Sequence, residues 1–345
     1  MDCIARIAIV AVALVLVGTP VAGMGEAGAA ERVKVSMIQS FQAMSFASIY
    51  VARAQNFFEQ EGVDLDLQIV RGDVVAAQAL VGRTAPMAAL GGTEATTFWS
   101  RGIKDFIAVV PVISAVTTSV AVRKDLVEAR GLSRSLPIEK RIAALKGLRI
   151  ATASPGGAVY TVVSYLLRRE GIDPKTDVTL ISMGGPVEML AALKARQIDA
   201  IAMSPPAPET AEAEGAGTVL VAVAKGDVPE LANIPYDILL VSRDYAAKNG
   251  EAVRRVVRAI VRASAFIREN PAGTRDSLQK YFDKVPLEVL TEVAKSLQTA
   301  VTPDARFTEE MWKNQMIFDV KAAKLKEPLD TREGVLWTNE YNARK

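Results

Sequence analysis

Residues 148–206 read LRIATASPGGAVYTVVSYLLRREGIDPKTDVTLISMGGPVEMLAALKARQIDAIAMSPP, and this stretch decides the fold. Short apolar runs typical of strands alternate with longer stretches in which apolar residues recur at helical spacing. The pattern predicts three strands, at residues 148–152, 178–181 and 200–203, and two helices, at residues 158–170 and 187–195. Strands that alternate with helices form mostly parallel sheets with helices on both faces, which is an α/β fold.

The same order of elements occurs earlier in the chain. Strands are predicted at residues 33–38, 63–70 and 86–90, and helices at residues 46–61 and 74–81. The end of the first helix also matches, because Glu61-Gly62-Val63-Asp64 corresponds to Glu170-Gly171-Ile172-Asp173. We therefore predict two copies of one strand-helix-strand-helix-strand unit, each forming one lobe, with the ligand in the cleft between them.

Two apolar segments are interpreted as paired hinge strands between the lobes. Residues 120–125 and 238–244 each end in a basic residue followed by an acidic one, and bending is expected at Val120–Val122 and Leu239–Val241. This assignment places residues 31–121 and 243–345 in the first lobe and residues 122–242 in the second. The chain beyond residue 250 is predicted to be a helical C-terminal extension. Its first helix presents an arginine row that is expected to be a solvated face: Arg254, Arg255, Arg258 and Arg262.

The composition excludes several classes of function. The chain has 345 residues, contains no histidine, and has Cys3 as its single cysteine. Catalytic triads that need histidine or a cysteine nucleophile are therefore excluded, as is a zinc site built from these residues. The net charge is +2 without a long run of one sign, so nucleic acid is not an expected partner. No cofactor, metal or catalytic residue is predicted.

The N-terminus has the pattern of a secretory signal peptide. Arg6 precedes an unbroken apolar run, residues 7–17, which is too short to span a bilayer comfortably. Small residues follow, and cleavage is predicted near Ala30, so that residues 1–30 are removed and the protein is exported to the periplasm. The mature chain then has no cysteine, which suits an oxidising compartment.

Several motifs resemble the nitrate/taurine/alkanesulfonate branch of ABC-transporter solute-binding proteins. They occur in the expected order across the mature chain, at residues 50–62, 91–95, 145–150, 193–206 and 267–271. The resemblance implies the two-lobed type II periplasmic-binding fold with two hinge crossings. It also implies closure around one small molecule, and docking on a membrane permease that works with an ATPase. We expect a monomer that is not an enzyme.

Candidate binding residues follow predicted strands and adjoin predicted helix starts, where backbone N–H groups and hydroxyls converge. In the first lobe they are Phe41, Gln42, Ser45, Gly92, Thr93 and Glu94. Ser114 lies near the hinge, and the candidates of the second lobe are Ser154, Gly156, Gly157, Gly184 and Ser204. Each also has a structural interpretation, such as a helix cap for Ser154, stabilisation of a helix start for Glu94 and core packing for Phe41.

The loops indicate the character of the ligand only broadly. Arg71 is their only basic residue, and it can pair with an anion or lie in a solvated turn. A small inorganic anion is not favoured, whereas Phe41, Met44, Met183 and Met203 suit a small organic solute with an apolar or ring portion. The resemblance offers sulfonate- or taurine-like, pyrimidine-like and aromatic-acid solutes. Two alternatives stay open: an enzyme on the same fold, similar to a pyrimidine synthase, and a receptor that serves a sensor.

Overall fold

A computed structural model describes residues 32–183, 185–302 and 304–342. The predicted signal peptide at residues 1–30 and the candidate Gly184 lie outside the described residues. None of the helices in the described ranges combines the length and the apolar character needed to cross a membrane.

Strands and helices alternate along the first two thirds of the described chain, and helices dominate the rest. The strands are β1 (Val33–Gln39), β2 (Val63–Ile69), β3 (Met87–Gly91), β4 (Phe106–Ile113), β5 (Ser119–Arg123), β6 (Arg149–Thr152), β7 (Thr179–Ser182), β8 (Ala200–Met203), β9 (Gly217–Ala222) and β10 (Asp237–Ser242). The helices are α1 (Ala47–Ala54), α2 (Phe57–Gln60), α3 (Asp73–Val81), α4 (Gly92–Ser100), α5 (Lys124–Ala129), α6 (Ile138–Ala143), α7 (Ala158–Arg169), α8 (Pro186–Lys194), α9 (Ala207–Ala213), α10 (Arg243–Lys248), α11 (Gly250–Glu269), α12 (Pro271–Gln279), α13 (Leu287–Ala300) and α14 (Glu309–Lys321).

The strands form two five-stranded sheets with matching topology. The sheet of the first lobe has the order β2-β1-β3-β10-β4, and the sheet of the second lobe has the order β7-β6-β8-β5-β9. In each sheet four strands are parallel and one is antiparallel, β10 in the first lobe and β5 in the second. The duplicated unit is therefore present as predicted. The outer strands β4 and β9 were not among the predicted strands.

The chain passes between the sheets outside the segments that the sequence pattern suggested. Strand β4 ends in the first sheet and β5 begins in the second, so the first crossing is residues 114–118. The second crossing is residues 223–236, between β9 and β10. The predicted bending segments Val120–Val122 and Leu239–Val241 are wrong as crossings, because each is hydrogen-bonded to two neighbours inside one sheet. A strand with both edges paired is held straight by its ladders, so bending is expected at the two connections, which lie outside the sheets.

One predicted helix is divided in two. The expected helix at residues 46–61 is α1 followed by α2, and Asn56 between them has φ +56°. Asparagine is one of the few residues other than glycine that adopts this left-handed conformation readily. The break lets Phe58 turn inward, where it is fully buried, while the apolar face of α1 packs against α11.

The arginine row of α11 is partly solvated, as its pattern indicated, but two of its members also pair with a carboxylate of the α2–β2 turn. The Arg258 Nε lies 2.7 Å from a carboxylate oxygen of Glu61, and an Arg262 guanidinium nitrogen lies 3.0 Å from the other oxygen. The Arg262 guanidinium also lies 4.4 Å from the ring centroid of Phe57. These side chains attach α11 to the α2–β2 turn. Burial acts to raise the pKa of Glu61, but the two arginines outweigh it and lower this pKa.

Candidate functional site

The carboxyl ends of the two sheets face each other and are in direct contact. The backbone N–H of Met44, after β1, donates to the carbonyl of Pro205, after β8, at 2.8 Å. The Ser154 hydroxyl, after β6, reaches the carbonyl of Arg71 at 3.4 Å, which is a long hydrogen bond. The two lobes are therefore closed upon each other in this structure.

The small cavity between the lobes has mixed walls. The centre of a water-sized sphere can occupy about 10 Å³ of this cavity, so the cavity has room for roughly one water molecule. A solute can enter only when the lobes separate. The lining residues are Phe41, Arg71, Gly72, Ala153, Ser154, Met183, Gly185, Met189 and Met203. The predicted Phe41 and Ser154 are thus brought together from opposite lobes.

Asp73 joins the two lobes at this contact. It is the first residue of α3 and is fully buried. One carboxylate oxygen accepts the backbone N–H of Gly91 at 3.1 Å, and the other accepts the N–H of Ala158, the first residue of α7, at 3.0 Å. Burial raises the pKa of Asp73, although the two N–H groups and the charge of Lys324 act in the opposite direction. The carboxylate of the first lobe therefore lies at the positive end of a helix in the second.

Glycines allow the close approach of the lobes. A Cβ atom at Gly157 would lie 2.9 Å from the Asp73 carboxylate, and a Cβ atom at Gly91 would lie 2.6 Å from the Cβ of Ala158. Both distances are shorter than normal contacts, so a side chain at either position would push the lobes apart. The predicted Gly157 is therefore at the interface between the lobes, where it permits the contact without a side chain of its own.

Two further buried acids lie at the end of the first sheet. Asp237 begins β10 opposite Gly91, and neither of its carboxylate oxygens has a hydrogen-bond partner of normal geometry among the described residues. Burial and the nearby Asp73 raise its pKa to about 8, and the Ser45 hydroxyl lies close enough to lower it in part. In Glu94, on the first turn of α4, burial and the charge of Asp73 raise the pKa to about 7, and Oε1 is likewise unpartnered.

The C-terminal part of the chain also reaches this region. Asp319, on α14, accepts hydrogen bonds from the hydroxyls of Thr93 (3.0 Å) and Thr96 (2.7 Å), and Gln315 donates to the Thr93 hydroxyl at 3.1 Å. The hydroxyl of the predicted Thr93 is thus engaged with α14. The ammonium group of Lys324, which follows α14, donates to the carbonyl of Gly156 in the opposite lobe.

The other predicted residues have four different environments. Ser45 and Ser114 are buried; the Ser45 hydroxyl lies beside the Asp237 carboxylate, and the Ser114 hydroxyl has no hydrogen-bond partner among the described residues. Ser204 is buried and accepts a hydrogen bond from Thr117 at 3.0 Å. Gln42 lies outside the cleft, because its exposed amide donates to the carbonyl of Tyr281. Gly92 lies beside the second crossing, where a Cβ atom would be 2.1 Å from the carbonyl oxygen of Pro235.

Three residues at the site were missed by sequence reasoning. In the sequence, Asp73 directly precedes the helix predicted at residues 74–81, Asp237 directly precedes the hinge segment at residues 238–244, and Lys324 falls in the predicted C-terminal extension. The acid after Gly72 indicates a helix start at Asp73, but nothing in the local pattern indicates that its side chain is buried. In the described ranges, no group of three or more acidic, histidine or cysteine side chains is placed to hold a metal ion.

Comparisons with known proteins cover most of the chain. The sequence profile described as the NMT1-like family matches residues 27–281. A Bacillus subtilis protein whose name describes it as a binding protein, YtlA, is 22% identical over 282 residues, which are 81% of this chain and 80% of YtlA. A Brachyspira hyodysenteriae protein named as an ABC transporter periplasmic binding protein is 27% identical over 162 residues, which are 46% of this chain and 44% of that protein.

A solved structure agrees with the architecture. The alkanesulfonate-binding protein SsuA from Xanthomonas axonopodis pv. citri, bound to MOPS, matches with a TM-score of 0.67 and 19% identity, over 89% of this chain and 97% of that chain. At this identity the likeness shows the fold alone. The predicted α/β fold, with two lobes of the periplasmic-binding type, is confirmed.

Proposed function

We propose that this chain, which belongs to the NMT1-like family, is the solute-binding component of an ABC importer and holds a small organic solute between its two lobes. The direct contact between the carboxyl ends of the two sheets carries this proposal, because ligands of parallel α/β sheets bind at those ends. Relatives that are named as binding proteins support it.

The two crossings form the hinge of the proposed movement. The Thr118 hydroxyl in the first crossing lies 2.7 Å from the Tyr236 hydroxyl in the second, and both side chains are buried. A rotation about this paired connection separates the sheet ends while each sheet keeps its own ladder of hydrogen bonds. The solute enters the open cleft, and closure then surrounds it with groups of both lobes.

We place the protein in the periplasm and propose that the closed form delivers its solute to a membrane permease. The apolar run at residues 7–17 with small residues up to Ala30 supports export. The name of the Brachyspira relative, an ABC transporter periplasmic binding protein, supports both the compartment and the transporter. The lack of histidine, and of cysteine outside Cys3, supports a receptor in place of an enzyme that relies on those residues.

Two linked measurements test this proposal. Native mass spectrometry of protein purified from its own periplasm is expected to show one bound small molecule. Cells that lack the gene are then expected to lose uptake of that molecule, and to regain it when the gene is restored. Normal uptake without the gene, while the purified protein still binds the solute, would contradict the transport role and favour sensing.

A further inference from the structure

Helix α14 is anchored in the first lobe. Its Trp312 side chain is fully buried in an apolar cluster that also contains residues of β1, β3, β4 and β10. Its Asp319 carboxylate is buried too, and it accepts the hydroxyl groups of Thr93 and Thr96 on α4. Hydrogen bonds to a carboxylate are among the strong ones, so they fix both partners. The helix therefore moves with the first lobe when the lobes separate.

A neighbouring side of the same helix contacts the hinge and the second lobe. The side-chain amide of Asn314 donates to the carbonyl of Asn233, in the second crossing, at 2.9 Å. One turn later, the ring centroid of Phe318 lies 5.5 Å from that of Tyr165, on α7 of the second lobe. Both rings are buried, and aromatic pairs at this separation attract each other beyond the area that they bury. One helix of the first lobe thus makes two contacts that opening must break.

The end of α14 positions a third contact. Ala323 has φ +58°, and its backbone N–H donates to the carbonyl of Val320 at 2.9 Å. The next N–H, of Lys324, donates to the carbonyl of Asp319 at 2.8 Å. This pair of hydrogen bonds around a left-handed residue is the Schellman motif, which ties the chain to the last turn of the helix. From this fixed backbone, the Lys324 ammonium group donates to the carbonyl of Gly156 in the second lobe.

The charge of Lys324 is held on the side of the first lobe. Burial raises the pKa values of Asp73, Glu94 and Asp319, and the charge of Lys324 acts in the opposite direction on all three. These acids belong to α3, α4 and α14, which are helices of the first lobe. The ammonium group is therefore attracted by one lobe while it donates to a carbonyl of the other. A hydrogen bond from a charged donor is stronger than one between neutral groups.

All three contacts are made outside the small cavity between the lobes. That cavity is lined by other residues, which lie on the loops after the strands and on α8. The contacts with Asn233, Tyr165 and Gly156 can therefore form whether or not a solute is inside. Helix α14 and Lys324 also lie beyond residues 27–281, the part of the chain that the NMT1-like profile matches.

We propose that Asn314, Phe318 and Lys324 form a clasp that holds the two lobes closed before a solute binds. The clasp belongs to the first lobe through α14, and it contacts the second crossing and the second lobe. The inference rests on the hinge movement of the proposed function, and it adds that the protein alone populates the closed form. A solute then enters only those molecules whose clasp is released, so this fraction limits the apparent affinity.

The distance between the lobes, measured with two spin labels, tests the clasp. Labels are attached at Val81→Cys in the first lobe and Lys175→Cys in the second, both at exposed positions. A Cys3→Ser background removes the one cysteine of the chain. The protein is first denatured and refolded, so that no bound solute remains. Pulsed electron resonance then gives the distribution of label distances, and circular dichroism checks the folding of each variant.

Wild type is expected to show mainly the short distances of closed lobes. Lys324→Met removes the charged hydrogen bond, so the ratio of closed to open molecules is expected to fall about tenfold or more. Asn314→Ala removes a neutral hydrogen bond and is expected to lower this ratio about three- to tenfold. Lys321→Met, at the exposed last residue of α14, is the matched control and is expected to leave the ratio unchanged.

The double variant with Lys324→Met and Asn314→Ala is expected to show a second population at longer distances. If this variant folds and keeps the distances of wild type, while Gly157→Ala lengthens them, the clasp is overturned and the hinge movement stands. Refolded wild type that is mainly open also overturns the clasp. If neither the double variant nor Gly157→Ala changes the distances, the hinge movement itself fails, and the proposed function fails with it.

Discussion

The carboxylate of Asp73 accepts a hydrogen bond from the backbone N–H of Ala158 at 3.0 Å, and so joins the start of α3 in one lobe to the start of α7 in the other. The same side chain accepts the N–H of Gly91 within its own lobe. Asp73 is thus shared between the strand end of the first lobe and a helix end of the second. It is one of the contacts between the lobes that opening must break.

We predict that Asp73→Ala destabilises the protein and favours the open form. The change leaves two buried N–H groups unpaired, so the free energy of unfolding is expected to fall by about 1–3 kcal/mol in urea. Small-angle scattering is expected to show a larger radius of gyration without added solute. The exposed control Asp283→Ala is expected to stay within about 0.5 kcal/mol of wild type. An unchanged radius of gyration would argue against a joining role for Asp73.

A second prediction concerns the space between the lobes. Gly157 has a negative φ, so an alanine there is not strained by its backbone, but its Cβ atom would lie 2.9 Å from the Asp73 carboxylate. Gly157→Ala is therefore expected to hinder closure and to weaken solute binding about tenfold. Gly250→Ala, at the start of α11 and outside the cavity lining, is the matched control, because a Cβ atom there meets nothing closer than 3.4 Å. Equal affinities of the two variants would contradict the closed contact.

Asp237 is expected to lower the stability of the protein at high pH. Its pKa is about 8 in the folded chain, against 3.8 as the ordinary value, because of burial and the nearby Asp73. The folded chain therefore binds more protons than the unfolded chain between these values, and stability falls as pH rises through this window. Asp237→Asn is expected to be more stable than wild type at pH 8, by about 1 kcal/mol or more, with a smaller gain near pH 4. A gain in the free energy of unfolding that does not vary with pH would contradict the raised pKa of Asp237.

A fourth prediction tests the contact between α11 and the α2–β2 turn. Burial raises the pKa of Glu61, but Arg258 and Arg262 outweigh it, so the folded pKa lies below the unfolded one. The stabilisation is then present at neutral pH and is lost as pH falls through the folded pKa. Because the Arg258 side chain is 42% exposed, solvent screens the pair, and Glu61→Gln is expected to cost about 0.5–1 kcal/mol at pH 7.

The control for this prediction is Glu292→Gln, which removes an exposed ion pair with Lys295. The unfolding midpoint of this variant is expected to equal that of wild type within experimental error. If Glu61→Gln also leaves the unfolding midpoint unchanged at both neutral and acid pH, the two arginines do not stabilise this contact. The arginine row is then only the solvated face that its sequence pattern suggested.

The repeated unit could be predicted from the sequence because its signals are local. Strand and helix patterns and the paired Glu-Gly steps at residues 61–62 and 170–171 each lie within a short window. The break at Asn56 escaped prediction, since the helical spacing of apolar residues continues across it. The crossings were misplaced because strand pairing is not visible in the pattern of one strand.

The candidate site could be predicted only in part, because its decisive contacts join distant residues. Asp73 meets Ala158 eighty-five positions later, and Lys324 reaches Gly156 from near the C-terminus. The sequence shows that Ser154 and Gly157 lie in a loop before a helix start. It does not show which distant residues contact them. The role of Thr93 likewise depends on Asp319, which lies on a separate helix.

A crystal structure of the protein with its co-purified solute tests the central claim most directly. We expect the solute between the lobes, within hydrogen-bond distance of Asp237 or Ser45 on the first lobe and of Ser154 or the Gly157 backbone on the second. Contacts from both sheet ends would support capture by closure. A solute bound to one lobe alone, with the other lobe more than a hydrogen bond away, would contradict it.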